Sequence, residues 1–221
     1  MNHIENTRKE IKRYFNQELI IPDSKKSTLS PSKNFRLDTV EYKQDKAESN
    51  WEVIKVQIYD LHVNQIIFVF FVNSSEFFYG WIDKENIEYF ICAEDIFGGQ
   101  TIIDLTNRKM SSYSPEKEGF IWCDFHLSPD GKTLATIGCY WACPFEIKIF
   151  DFSDPMNLPL KEIKEIELLD NDEIIIGWKD NETLKMKGIK REKEPEYFEN
   201  GSFRMKTMSE TEIEREINIG I

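Results

Sequence analysis

The chain has 221 residues, with 28 Lys plus Arg against 40 Asp plus Glu, so its formal net charge at pH 7 is −12. That length suits one domain, or one domain with a small appendage. The negative charge disfavours a nucleic-acid partner, because too few cations are present to release phosphate counterions. No apolar run approaches the ~18 residues that a membrane-spanning helix needs, so no membrane partner is expected.

The amino terminus and the cysteine content both bear on the cellular compartment. Residues 1–15 contain no apolar segment followed by a small-residue cleavage site, which predicts a cytoplasmic protein. Four cysteines are too few for a disulfide scaffold in a chain of this length. In a reducing compartment we expect them to be small buried hydrophobic residues.

The first elements in chain order are a helix and a linker. Four apolar residues near the start of the chain lie at helical spacing: Ile4, Ile11, Phe15 and Leu19. They predict a helix over 3–20 that ends before Pro22. We therefore divide the chain into an N-terminal helical segment over 1–22, a linker over 23–34 and a β-repeat domain over 35–221.

Four dipeptides recur at nearly constant spacing: Ser30-Pro31, Gly80-Trp81, Ser128-Pro129 and Gly177-Trp178. The second residues of these pairs are 50, 48 and 49 positions apart (81 − 31, 129 − 81 and 178 − 129). Each pair precedes a polar turn and a short alternating strand. A period of this size predicts four antiparallel units that stack side by side.

A second signal follows the same period. An aromatic or aliphatic residue precedes Asp at Tyr59-Asp60, Ile103-Asp104 and Phe150-Asp151, and the fourth unit has no such pair.

Three local patterns complete the interpretation. The apolar run 66–72 predicts a strand covered on both faces, the charged segment 191–200 with Pro195 predicts a loop, and Ser209 with Glu212 predicts the cap of a short closing helix.

The segment Ser128-Pro129-Asp130-Gly131-Lys132, followed by strands that close in Asp, resembles a blade of β-propeller proteins of the WD40 and TolB type. The pieces 92–104 and 138–146 resemble an uncharacterised family of bacterial cytoplasmic proteins. The resemblance implies an all-β fold of four blade-like antiparallel repeats, a small or partial propeller, with a binding or scaffold role. Closure of the ring is left open.

The segment 138–146 also carries the strongest candidate binding residues. Tyr140, Trp141 and Phe145 are large aromatic residues in a short connection, where they could anchor a protein or small-molecule ligand. Glu94 and Asp95 follow a strand and could bind a cation or a partner. The alternative for these two carboxylates is a salt bridge or a turn cap.

Cysteines in the same region raise a metal hypothesis. Cys139 and Cys143 are spaced as Cys-x₃-Cys, and Cys123 and His126 are candidates to complete a tetrahedral zinc site, as is Cys92. A disulfide between Cys139 and Cys143 and a packed loop with free thiols are the alternatives. No nucleotide-binding or metalloprotease motif is present, and we predict no cofactor.

The leading functional hypothesis is a non-catalytic, cytoplasmic binding or scaffold protein. An immunity-type inhibitor of a bacterial toxin is the first alternative, because an acidic inhibitor is attracted to a basic nuclease. A metal- or thiol-dependent enzyme is the second.

Overall fold

A computed structural model describes residues 3–43, 52–169, 172–198 and 201–220 of the chain. It contains one α-helix, α1 (Ile4–Ile11), and four antiparallel sheets that follow one another along the chain. The predicted fold class, all-β with four blade-like repeats and an N-terminal helix, is confirmed. None of the described helices has the length and apolar character that crossing a membrane requires.

Each of the first two sheets has four strands in chain order. Sheet 1 consists of β1 (Lys26–Leu29), β2 (Phe35–Lys43), β3 (Glu52–Asp60) and β4 (Gln65–Val72). Sheet 2 consists of β5 (Tyr79–Lys84), β6 (Ile87–Cys92), β7 (Gln100–Asp104) and β8 (Lys109–Tyr113). Each strand pairs with the next one along the chain, which is the simplest antiparallel connection.

The third and fourth sheets vary this plan. Sheet 3 consists of β9 (Ile121–Trp122), β10 (His126–Leu127), β11 (Thr133–Cys139), β12 (Glu146–Asp151) and β13 (Glu162–Glu167). Both β9 and β10 pair with β11, so together they form an interrupted first strand. Sheet 4 consists of β14 (Ile174–Trp178), β15 (Thr183–Tyr197) and β16 (Phe203–Asn218).

Three apolar clusters hold successive sheets together. Their buried centres are Ile58, Phe90 and Ile103 between sheets 1 and 2, Ile91, Trp122 and Phe150 between sheets 2 and 3, and Ile147, Leu184 and Met186 between sheets 3 and 4. A fourth cluster packs α1 and the residues after it against the outer face of sheet 1. Within the described ranges no apolar cluster joins sheet 4 to sheet 1.

The sheets stack in the same orientation. Contacts link the first-turn ends of successive sheets: Ser32 Oγ to Glu88 Oε2 at 2.6 Å, Lys84 Nζ to the Phe152 carbonyl at 2.7 Å, and the Asp130 N–H to Asn181 Oδ1 at 3.1 Å. Because the strands alternate in direction, the connections between second and third strands lie at the opposite end of every sheet. We call that opposite end the aromatic end, because its connections carry Phe97 and Trp141.

The repeated dipeptides all lie in the first hairpin of their sheets. Ser30 Oγ accepts a hydrogen bond from the Phe35 N–H at 3.2 Å, and Ser128 Oγ accepts one from the Thr133 N–H at 3.0 Å. Trp81 and Trp178 both lie on first strands, and each packs against the cluster between its own sheet and the preceding one.

The aspartates of the second signal end the third strand of each sheet. Asp60, Asp104 and Asp151 accept hydrogen bonds at 2.8–2.9 Å from the backbone N–H groups of His62, Asn107 and Ser153 respectively. In sheet 4 the equivalent position is Asn218, since it pairs with Thr183 as Asp151 pairs with Thr133. The fourth unit therefore keeps the turn but replaces the carboxylate with an amide, whose Oδ1 accepts the Gly220 N–H.

Two predictions near the N-terminus differ from the structure. The helix ends at Ile11 and is followed by single 3₁₀ turns at Lys12–Tyr14 and Gln17–Leu19. Phe15 instead stacks on Phe71 at 4.2 Å between ring centroids, a contact that the irregular backbone permits. The linker predicted over 23–34 contains strand β1, whose four residues are all exposed and therefore lack the apolar alternation of a strand.

Three further predictions are wrong. Strand β4 is an edge strand, and its Ile66 and Val69 are 44% and 47% exposed, so it is not covered on both faces. The segment 191–200 is not a loop up to Tyr197, because it continues β15 as an edge that tolerates Pro195, and its residues 199–200 lie outside the described part of the chain. The closing helix is replaced by β16, in which Ile213 and Ile217 lie on one face at strand periodicity as well.

Replacing Asp151 with alanine should lower the free energy of unfolding at pH 7 by about 1 kcal/mol, because the Ser153 N–H loses its acceptor. Hydrogen bonds from Ser153 lower the pKa of Asp151. Its folded-state pKa is then below the unfolded value near ~3.9, so this stabilisation is present above that value and is lost as pH falls through the folded pKa.

Urea unfolding of the wild type and Asp151→Ala at pH 7 and near pH 2 measures this effect. The difference between the two proteins should shrink at the acidic pH. Asp83→Ala, at an exposed position of β5, is the control and should stay within about 0.5 kcal/mol of the wild type. An equal loss for Asp151→Ala at both pH values would contradict the assignment.

Candidate functional site

Two neighbouring connections at the aromatic end expose large aromatic side chains. Phe97, between β6 and β7, is 49% exposed, and Trp141, between β11 and β12, is 46% exposed. Their ring centroids are 5.8 Å apart in an edge-on arrangement. Exposed aromatic residues that contact one another across two sheets form a surface suited to burying an apolar group of a ligand.

A groove of about 420 Å³ is lined in part by residues that flank Trp141 in the same connection. Its lining combines apolar residues with two carboxylates: Tyr140, Cys143, Pro144, Phe145, Glu146, Glu167 and Leu168. The sequence-predicted residues Tyr140 and Phe145 line it directly, and Trp141 stands next to Tyr140 in the same connection. Phe145 is 40% exposed, so the groove is open to a ligand from solvent.

A buried lysine supports the wall of the groove. Lys148 Nζ lies 2.8 Å from Glu162 Oε2 and 3.1 Å from Glu165 Oε2, and its side chain is only 3% exposed. The same ammonium group is 5.2 Å from the centroid of the Tyr140 ring. Burial alone would lower the pKa of Lys148, but the hydrogen bonds to Glu162 and Glu165 raise it, so the cation stays charged.

Lys148 also fixes the position of Tyr140. A cation over an aromatic face attracts the ring, and Phe120 packs edge-on against the same ring at 5.8 Å between centroids. Sequence reasoning missed Lys148, because an isolated lysine in a strand reads as a solvated residue. The sequence signal for Lys148 is the row of glutamates in β13, because carboxylates on a neighbouring strand favour a cross-strand pair with a lysine.

Glu146 brings an incompletely paired carboxylate to the groove. Its Oε1 lies 3.7 Å from Lys148 Nζ and receives no hydrogen bond from any described residue. Burial and the nearby Glu165 carboxylate raise the pKa of Glu146. A donor or a cation on a ligand would stabilise the ionised form of this side chain.

Glu94 and Asp95 are bonded within the protein. Glu94 is 1% exposed and accepts two hydrogen bonds from Arg8, from Nε at 2.9 Å and from one terminal nitrogen at 2.6 Å. Thr101 also donates to it. Asp95 is 7% exposed and accepts the Phe97 N–H at 3.1 Å. These contacts tie α1 to sheet 2 and hold the connection that carries Phe97.

Burial also affects the acid strength of Asp95. Desolvation raises its pKa, and hydrogen bonds from the Phe97 N–H and from Asn73 partly offset that rise. The predicted cation-binding or partner-binding role of Glu94 and Asp95 stays a prediction. Their observed contacts correspond to the structural alternative weighed beside it.

The four cysteines carry free thiols. Cys139 and Cys143, the pair considered for a disulfide, are therefore not bonded to each other. Burial raises the pKa of Cys123 to about 12 and, with the neighbouring Cys143 and carboxylates, also raises the pKa of Cys139. Raised pKa values reduce the thiolate fraction at neutral pH, which disfavours both residues as nucleophiles.

One of the predicted zinc ligands, His126, is paired with a neighbouring carboxylate. His126 Nε2 lies 2.6 Å from Asp124 Oδ2, a pair within two residues of one another. In the part of the chain that the structure describes, no group of three or more His, Cys, Asp or Glu side chains is arranged to hold a metal ion. Zinc binding by Cys139, Cys143, Cys123 and His126 stays a prediction.

No protein-family model matches the chain. The chain is 30% identical over 144 residues, 64% of its length, to an uncharacterised protein, R762, of Acanthamoeba polyphaga mimivirus. The match spans 56% of that relative's length, and bacterial origin of the present chain stays a prediction.

A solved structure, the dihydro-heme d1 dehydrogenase NirN in complex with DHE, is similar over 68% of this chain and 39% of its own chain. The identity is 12% and the TM-score is 0.28. Those values are too low to support an inference about fold or activity. The resemblance to WD40-type and TolB-type blades stays a prediction, and the structure shows four successive antiparallel sheets.

The Arg8–Glu94 pair provides a test of the structural role assigned to Glu94. Glu94→Gln should lower the free energy of unfolding by about 3 kcal/mol, because it leaves a largely buried guanidinium without its carboxylate. The matched control is Glu5→Gln, which removes the exposed Arg8–Glu5 pair and should cost at most about 0.5 kcal/mol. Urea unfolding measures both, and equal effects would contradict the assignment.

Thiol-reagent kinetics test the environments of the cysteines. Cys143 is exposed and should react first, whereas buried Cys92 should react only on unfolding. Cys123 and Cys139 should react slowly near pH 7.5, with rates that still rise above pH 9 because their pKa values are raised. In Cys143→Ser the fast phase should disappear, and a fast phase from Cys139 at pH 7 would contradict these assignments.

Proposed function

We propose that this chain is a non-catalytic, cytoplasmic binding protein that takes a segment of a partner protein at its aromatic end. The observation that carries the proposal is the exposed Phe97–Trp141 pair together with an open groove of about 420 Å³. Buried aromatic anchors supply most of the binding energy in protein interfaces, and a rigid groove wall reduces the entropy lost on binding.

The chemistry of the groove specifies the partner segment. Tyr140 and Phe145 favour an apolar side chain, while Glu146 and Glu167 favour a neighbouring lysine or arginine. The net charge of −12 would attract a basic partner at long range. A basic toxin domain has that chemistry, so the inhibitor hypothesis is a special case of this proposal.

The raised pKa values of Cys123 and Cys139 support a binding role over a thiol-dependent reaction. A nucleophilic cysteine needs a lowered pKa or an adjacent base, and burial has the opposite effect here. The buried Lys148 is engaged by two carboxylates and serves to hold the wall of the groove.

Site-specific photo-crosslinking tests the proposal. A benzophenone amino acid at position 141 should crosslink a protein partner in cells, and one at position 29, exposed at the opposite end of sheet 1, should not. With the purified partner, Trp141→Ser should weaken binding by at least about tenfold, as expected for an aromatic anchor.

The control variant is Leu29→Ser, which changes an exposed apolar residue far from the groove and should leave the dissociation constant unchanged. A partner that binds the wild type and Trp141→Ser equally well would contradict the assigned surface. Robust turnover of a small substrate that a Cys123 or Cys139 substitution abolishes would contradict the binding role itself.

A further inference from the structure

Sheet 4 carries a projecting hairpin that no other sheet shows in the part of the chain that the structure describes. Strands β15 and β16 have 15 and 16 residues, and none of the described residues between Glu192 and Ser209 is buried. Arg191, at the base of this hairpin, contacts Asp172, which precedes β14. We call the four stacked sheets without this hairpin the body. From Arg191 to Tyr197 the hairpin extends about 20 Å at the usual rise of a strand. We call residues 192–198 and 201–209 the arm.

The base of the arm is fixed. Arg215 of β16 donates to both carboxylate oxygens of Glu173, at 2.6 and 2.8 Å, and Glu173 is 2% exposed. A Cβ at Gly188 would lie 2.5 Å from Glu173 Cγ, so glycine at this position makes room for the ion pair. The arm therefore leaves the body in a defined direction, because its base cannot rotate freely.

The two faces of the arm differ in chemistry. Cross-strand pairing places Tyr197 opposite Phe203 and Pro195 opposite Met205, all on one face. Tyr197, Phe203 and Met205 are 72%, 60% and 53% exposed, and the first two rings are 5.9 Å apart.

The other face is polar, and its charges are paired within the hairpin. Arg204 Nε lies 2.6 Å from Glu196 Oε2, and Lys206 Nζ lies 3.7 Å from Glu196 Oε1. This charged face does not require a partner, whereas the apolar face leaves large side chains in water.

The apolar face continues onto the body of sheet 4. Ile174 and Ile176 are 52% and 47% exposed and belong to the face of sheet 4 that points away from sheet 3. The corresponding outer face of sheet 1 is covered by α1. No described element covers the outer face of sheet 4.

The charge pattern of this face is self-complementary. On the outer face β15 carries basic residues and β16 carries acidic ones: Lys185 and Lys187 lie opposite Glu216 and Glu214. Lys187 and Glu216 already form ion pairs within the chain, with Glu212 at 3.1 Å and with Lys179 at 2.6 Å, and a second copy would exchange these partners for its own. Residues 183–218 contain 8 Lys plus Arg and 8 Asp plus Glu, a net charge of zero, so the whole −12 belongs to the rest of the chain. Two copies can therefore approach through sheet 4 without the repulsion that their other surfaces would cause.

We propose that a second copy of this chain docks on the outer face of sheet 4, forming a two-fold dimer. The symmetry axis runs along the hairpin between β15 and β16. It places the basic row of each copy against the acidic row of the other and brings the two apolar tips together. The paired faces would pack as two sheets about 10 Å apart.

The available area suits a specific interface. A face about 50 Å long and two to three strands wide provides roughly 600 Å² per copy. Standard interfaces bury about 800 Å² per partner, and the low end of the range is below about 600 Å². The predicted dimer is therefore of moderate affinity, and it uses a surface different from the groove at the aromatic end.

Sedimentation equilibrium of the full chain tests the proposal. The wild type should have about twice the monomer mass of 26.2 kDa at micromolar concentration. Tyr197→Thr with Phe203→Thr should weaken association at least tenfold, because it removes the apolar tip while keeping strand-forming residues. The matched control is Glu194→Thr with Lys206→Thr on the opposite face of the arm, which should leave the dimer intact.

Charge reversal provides a second, independent test. Lys185→Glu with Lys187→Glu should give a monomer, as should Glu214→Lys with Glu216→Lys, because each makes the face uniformly charged. A mixture of these two variants should form a heterodimer. Circular dichroism establishes that each variant is folded.

A monomeric wild type at 100 µM would overturn the proposal, as would a dimer that the tip substitutions leave unchanged. If the two charge-reversal variants are folded but do not associate with each other, the proposed pairing of the basic row of one copy with the acidic row of the other is wrong. Trp141→Ser should remain dimeric, so this result is independent of the partner-binding proposal.

Discussion

The burial of apolar sheet faces against neighbouring elements is the constraint on which the whole molecule depends. A single antiparallel sheet of three or four strands that is apolar on both faces cannot keep those faces from water by itself. Sheets 2 and 3 each contribute side chains to two apolar clusters, one on either side. Sheet 1 meets sheet 2 on one face and the N-terminal segment on the other. Sheet 4 has a described neighbour on only one face, and its other face is the one for which we propose a second copy.

This constraint explains which parts of the fold could be predicted from the sequence. The hairpin signals repeat because sheets 1 and 3 make the same first turn, with Ser30 and Ser128 bonding the backbone five residues on, and because an aspartate closes the third strand of sheets 1 to 3. Those signals are local, so they are visible without coordinates. The sequence did not indicate that Asn218 takes the place of the aspartate. Because β16 is long, Asn218 does not lie at the position that the repeat period predicts.

The errors have a common physical origin as well. Charged segments such as 191–197 and short polar strands such as β1 lack the apolar alternation that burial produces, since they are edges exposed to water. The spacing of Ile213 and Ile217 fits a helix and a strand equally well. In the observed strand, Arg215 lies between them in sequence and contacts Glu173. The aromatic residues of the groove were predicted because Tyr140, Trp141 and Phe145 are unusual in a short connection. Lys148 and Phe97 were missed because their importance depends on contacts between strands and between sheets.

The most direct test of the account is native-state amide hydrogen exchange, resolved by residue. We expect the amides of β6, β7, β11 and β12 to exchange together and only through global unfolding, because their sheets support each other across shared clusters. The arm beyond Arg191 should exchange through much smaller openings in the monomeric tip variant. Independent opening of sheets 2 and 3, with different free energies, would contradict the claim that mutual burial holds the stack together.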